Sequence, residues 1–315
     1  MALTTESSNE SPRTPAPQLS PPEGLISRIF LGSDGLRVGW SLLLYAAFWL
    51  LIEYGIVAPV LLAGGFPVNP KSPQFVILGE LLSFLSAYAA ALLMARLERR
   101  PAGVYGLPLG QALGGLFWVG ILLGLGEVSL LLGLIAAAGG YSFGTVVLHG
   151  AGILDGTALW ALAFALVGLS EEFLFRGYSQ YTLARGIGFW PAAVCLSLAF
   201  GAAHLRNPGE GIVGAANVAV TGLVFAFALR RTGNLWLGVG WHASFDFGET
   251  FLFSVPNSGY VFDQHLSSAV LHGKTWLTGG TVGPEGSVFG FVTLGISAVL
   301  IHYLFPAKKY GYKAD

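Results

Sequence analysis

GLSEEFLFRG, residues 168–177, closes an apolar run that begins near Thr157 and continues into Phe-Leu-Phe. Two adjacent carboxylates and an arginine in such surroundings must be paired, or used. The chain around them has 315 residues, 54% hydrophobic and only 10% charged, where a soluble domain carries about 25% charged residues. The charges are also unevenly spread. Between Arg100 and Asp155 the only charged residue is Glu127, and Gly211 to Leu229 has none. Apolar runs of about 20 residues are long enough to cross a bilayer core roughly 30 Å thick. The expected fold is therefore all-α: a polytopic transmembrane helical bundle, since open strands in lipid leave backbone groups unpaired. The net charge of −1 implies no nucleic-acid partner, and the single Cys195 lies in an apolar run as a packing residue.

Residues 1–24 are rich in Ser, Thr, Pro and Glu and have no apolar core. They read as a disordered tail, not a signal peptide. Residues 25–37 read as an interfacial segment, 38–305 as the transmembrane domain and 306–315 as a short basic tail. About eight spans can be drawn: Val38–Gly64, Phe75–Ala95, Ala112–Ala138, Thr157–Gln180, Phe189–His204, Gly211–Leu229, Leu235–Phe253 and Ser287–Phe305. With the N-terminus in the cytoplasm, 13 basic residues fall inside and 3 outside, of the 16 in the chain. That bias predicts an even number of spans and both termini cytoplasmic. The outer loop, 254–286, contains TGGTVGPEGS (278–287), which lacks the order of a phosphate loop and reads as turns.

Within the predicted spans, Glu172 and Arg176 are four residues apart and share a helical face, so they can neutralise each other. Glu171 points about 100° away and lacks that partner. The fifth span ends SLAFGAAHLR, which sets Phe200 and His204 four apart. In GVGWHASFDFGE, His242, Asp246 and Glu249 fall on one face. Imidazole and carboxylate groups from three helices can thus converge, as in a metal site holding a water or a glutamate–histidine site that activates one. Taken singly, each signal has a blander reading: an interhelical hydrogen bond for a lone histidine, a proton relay for the paired acids. Glu53, Glu80 and Glu127 read as interhelical or near-interface carboxylates. His149, His265, His272 and His302 read as loop or span-end residues without chemistry.

The three motifs in order, EExxxR (Glu171–Arg176), FxxxH (Phe200–His204) and HxxxD (His242–Asp246), resemble those of the CPBP family. That family comprises the CAAX prenyl proteases of the Ras-converting type and the Abi-domain bacteriocin-processing enzymes. RRPAGVYGLP (99–108) is also similar to family members, and the resemblance is most specific over about residues 165–250. It implies an intramembrane endopeptidase, a metallopeptidase in the family's usual description. Glu171 and His204 would activate the attacking water. Glu172 would belong to the same cluster and orient against Arg176, with Phe200 beside it. His242 and Asp246 would stabilise the tetrahedral intermediate or complete the site.

A divalent metal, zinc, would be held by Glu171, His204 and His242; a metal-free glutamate mechanism is the other route open to the family. Position 246 is Asp where the family has Asn or Asp. An ionised Asp can only accept hydrogen bonds, which suits orienting His242 or a nearby cation. The expected partners are the bilayer and a membrane-associated peptide or protein substrate. Cleavage is placed near the cytoplasmic face of a bacterial plasma membrane, on a chain rich in Ala and Gly and poor in Lys. One check is discordant. At ~1.5 Å per residue, Glu171 and His242 lie about 10 Å from the inner face but His204 about 22 Å from Phe189. The three meet only if the fifth helix tilts or begins in the interface. The alternative function is a proton-coupled transporter using the buried Glu and His as a relay. The lack of an internal repeat counts against it.

Overall fold

The computed structural model describes residues 24–32, 35–64 and 69–310. The tail expected over 1–24, Gly24 apart, and residues 311–315 of the basic tail lie outside the described residues. Contacts divide the chain into two units, 1–37 and 38–315. In the first, a six-residue helix α1 (Leu25–Phe30) leads into a two-stranded hairpin of β1 (Leu31–Gly32) and β2 (Gly35–Leu36).

The second unit is a helical membrane bundle. It begins with α2 (Val38–Ile52), which passes through a π-helical turn (Glu53–Val57) into α3 (Ala58–Ala63), and continues with α4 (Pro73–Leu97). Ser72 caps α4 by accepting the Phe75 N–H, ahead of a proline whose missing donor is no loss in the first turn. There follow α5 (Gly115–Ala137), the short strand β3 (Tyr141–Ser142), α6 (Ala151–Arg176), α7 (Tyr178–Ile187), α8 (Phe189–His204) and α9 (Ile212–Thr232). Then come α10 (Trp236–Phe247), continued by a π-helical turn (Gly248–Leu252), β4 (Val270–Leu271), α11 (Thr275–Thr278) and α12 (Val288–Leu304). Among the described residues, five helices are long and apolar enough to cross a membrane: Val38–Ala63, Pro73–Leu97, Gly115–Ala137, Ala151–Ile187 and Ile212–Thr232. Two shorter apolar helices, Phe189–His204 and Val288–Leu304, accompany them. Leucines such as Leu62, Leu122 and Leu154 are exposed on the outer faces, as lipid contact requires.

The tightest packing is between α5 and α10. A Cβ on Gly120 or Gly124 would run into the α10 backbone, and one on Gly240 into the α5 backbone. Small residues on both helices thus bring the backbones together, the expected way to pack helices in lipid. Beside this seam Trp241 packs with Leu237, Phe225, Leu294 and Ile301, its ring edge-on to Phe225 at 5.2 Å.

Two features differ from the sequence reading. The span expected over Thr157–Gln180 begins at Ala151 and breaks at Gly177, where a Cβ would strike the Phe173 carbonyl, and the separate helix α7 follows. The outer loop is folded rather than a plain run of turns. Its β4 pairs antiparallel with β3, matching Tyr141 to Leu271, and a 3-10 turn, Pro284–Gly286, precedes α12.

Candidate active site

Consecutive residues on α6 diverge by about 100°, and Glu171 and Glu172 meet different surroundings as a result. Glu172 is 1% exposed. Its Oε1 accepts from Arg176 Nη1 at 3.1 Å and lies 3.3 Å from His242 Nδ1. The Arg176 guanidinium, also buried, lies over the Phe200 ring with 4.4 Å between Cζ and the centroid. Two glycines make room for this knot. Gly168 sits against the α10 backbone, where a Cβ would be 2.8 Å from the Val239 carbonyl oxygen, and Gly238 faces the Glu172 carboxylate.

Glu171 turns the other way. Its side chain keeps 29% of its exposure, and Oε2 has no hydrogen-bond partner within the protein. His242 Nε2 is 3.7 Å from that oxygen and 3.6 Å from Asp246 Oδ2. Both separations exceed a direct hydrogen bond and suit bridging through a small polar group.

His204 closes α8. A carbonyl only accepts, so Nδ1–H donates to the Phe200 carbonyl at 2.9 Å and Nε2 is the nitrogen left to act. Phe200 packs edge-on against both His204 and Phe175, at 4.7 and 4.9 Å. This resolves the discordant depth of His204. Phe200 lies level with the end of α6, about eleven residues and so ~16 Å along α8 from Phe189. The chain runs on through α7 before turning back, so α8 starts well beyond the end of α6.

Glu171, His204, His242, Asp246 and Phe200 border one cavity of about 690 Å³, while Glu172 and Arg176 lie outside its lining. The cavity reaches Asn207, Ser258 and Glu285, in the 205–211 and 254–286 loops that the charge count assigns to the outside. On that count the cavity reaches from the motif residues towards the outer face.

The cavity also takes in residues given no chemistry from sequence: Glu80, Glu127, Asn217, Asn257 and Glu285. Glu127 is an interhelical carboxylate as expected, accepting from Trp241 Nε1 at 2.7 Å and Thr293 Oγ1 at 3.3 Å. Asn217 is the sole Asn in the uncharged run 211–229, a signal that could have found it. Nothing in the periodicity of the outer loop marks Glu285. Its carboxylate accepts from Ser258 Oγ at 2.9 Å. Burial pushes the nearby Glu210 carboxyl above its ordinary value; the Gly211 N–H opposes that shift and Glu285 adds to it. His149, His265, His272 and His302 lie outside the cavity lining. His302 Nδ1 is 2.7 Å from Arg231 Nη2, a structural contact.

Glu171, His204 and His242 are the donor set suggested for zinc. They border the same space, but among the described residues no three His, Cys, Asp or Glu side chains form a group that could hold a metal ion. Both His242 nitrogens face carboxylates.

Comparison with known proteins identifies residues 153–248 as matching the Rce1-like family, described as type II CAAX prenyl endopeptidase Rce1-like. The match spans all three motifs and agrees with the CPBP resemblance. No curated protein and no solved structure matches the chain.

Proposed function

We propose that this integral membrane protein, through its Rce1-like domain, is an intramembrane endopeptidase in which Glu171 and His204 activate a water. The observation that carries the reading is the division of labour between the adjacent glutamates. Glu172 is consumed by Arg176 and His242, whereas Glu171 borders the cavity with one carboxylate oxygen free of any hydrogen bond. A water between Glu171 and His204 Nε2 gives its proton to Glu171 as its oxygen attacks the scissile carbonyl carbon. His242, held through Nδ1 by Glu172, faces the developing oxyanion with Nε2, and its imidazolium form donates there. Asp246 accepts only, and so orients His242. When the carbon–nitrogen bond breaks, the proton on Glu171 passes to the leaving amine, directly or by way of His204. The substrate is a membrane-associated peptide segment, and a bacterial plasma membrane is the setting that the composition suggests.

Incubating the purified protein with a peptide library, beside His204→Ala, tests the reading. Cleavage by the wild type and at least about 10²-fold less by the variant is expected; cleavage retained in the variant overturns it. No step here is routed through a metal. Elemental analysis of active protein is therefore expected to give well under one zinc per chain. One zinc per chain, lost in a His204→Ala/His242→Ala double variant, would replace the glutamate route with metal catalysis.

A further inference from the structure

The cavity has an unbalanced charge inventory. Five carboxylates border it, Glu80, Glu127, Glu171, Asp246 and Glu285, against two histidines, His204 and His242, and among the described residues no lysine or arginine does. Arg176, which could offset them, is bound to Glu172 outside the lining. His242 lies 3.7 Å from Glu171 and 3.6 Å from Asp246 but has no such contact with Glu285. Carboxylates gathered away from bulk water repel one another, and a bound cation relieves that cost. Glu285 is the one that comes from the outer loop. It is half-buried and makes no ion pair among the described residues, and the buried Glu249 lies beside it.

A second observation lies at the same end of the cavity. Asn217 borders it and is 3% exposed. Its Nδ2 donates to the backbone carbonyls of Glu285 and Ser287, at 2.7 and 2.8 Å. Its Oδ1 is buried and has no donor within the protein. An orphan acceptor is costly unless a ligand supplies an N–H or O–H. A carboxylate held by Ser258 but by no ion pair among the described residues, at the same end of the cavity as an orphan amide oxygen, suits a group with several N–H donors and a positive charge. A metal ion fits less well, since no group of three ligating side chains is present among the described residues.

We propose that the Glu285–Asn217 end of the cavity is a specificity subsite for a basic side chain, lysine or arginine, of the substrate peptide. This rests on the endopeptidase reading for the identity of the ligand as a peptide. It accounts for a loop glutamate held in place by backbone bonds from Asn217 and a side-chain bond from Ser258. The conserved shape of Glu285→Gln keeps the Asn217 bonds, because they go to the backbone carbonyl of residue 285 and not to its side chain.

The test measures binding separately from cleavage. Fluorescein-labelled peptides in which one lysine is walked along an apolar sequence are titrated against full-length Glu171→Gln protein, each beside its norleucine twin. For at least one lysine position, affinity about tenfold or more above the twin is expected. Glu285→Gln should erase that difference and leave the twin's affinity unchanged, and Glu285→Lys should favour a glutamate peptide instead. Equal affinities at every position, a preference that survives Glu285→Gln, or no binding by any peptide would each overturn the subsite. Wild-type cleavage of both twins alike, without an affinity difference, leaves the endopeptidase reading standing and removes only this inference. Binding through Glu285 without cleavage of any peptide does the reverse.

Discussion

Glu171→Gln is expected to lower peptide cleavage by about 10³-fold or more while leaving the fold intact. Glutamine keeps the volume and one acceptor oxygen but cannot take the water's proton at neutral pH. The side chain has little structural work to lose: Oε2 has no hydrogen-bond partner, and His242 Nε2 lies 3.7 Å away, beyond a direct bond. Loss of activity should therefore come with an unchanged melting temperature, a pairing that a merely structural residue does not give. The measurement is kcat/KM on any peptide the wild type cleaves, with melting followed on the same preparations. Activity within tenfold of the wild type would move the base to another group, His204 being the next with an open nitrogen in the cavity.

The contrast between the two glutamates was legible in the sequence, because helical geometry alone separates neighbours by about 100° and joins Glu172 to Arg176. The helical bundle was legible too, since apolar runs in lipid leave few alternatives to helix. The motif order on three helices likewise anticipated that Glu171, His204 and His242 would share a space. The break at Gly177 was hidden because a glycine in an apolar pattern reads equally as a packing residue. Its consequence was larger than its size: without α7 the depth of His204 could not be reconciled with that of Glu171. The partners of Glu127 lie 114 and 166 residues away, beyond any local pattern. Glu285 was hidden for a different reason. Its neighbours are glycines and a proline in a loop, where no periodicity assigns a face, and only the fold brings it to Asn217.

Arg176→Met is expected to destabilise the protein by roughly 3–5 kcal/mol, because it strands a buried charge and does not simply delete a contact. Arg176 and Glu172 are each about 1% exposed at the side chain, with 3.1 Å between Nη1 and Oε1. Removing the guanidinium leaves the Glu172 carboxylate with His242 alone. It also removes the cation over the Phe200 ring, on the helix that carries His204. Activity should fall with stability, since His242 and α8 both lose a fixed neighbour. Arg176→Lys should recover only part of the loss: a lysine ammonium is a point charge and lacks the planar guanidinium that can stack on the ring and meet the carboxylate together. The double variant Glu172→Gln/Arg176→Met separates the explanations. With the charge gone from both sides, stability is expected to return towards the wild type, although activity should stay low because Glu172 no longer holds His242 as a carboxylate. Denaturation in mild detergent, followed by loss of helical signal, reads the stability. A single variant no less stable than the wild type would show that the arginine does not hold the site together, and the motif's arginine would then need a role at the substrate.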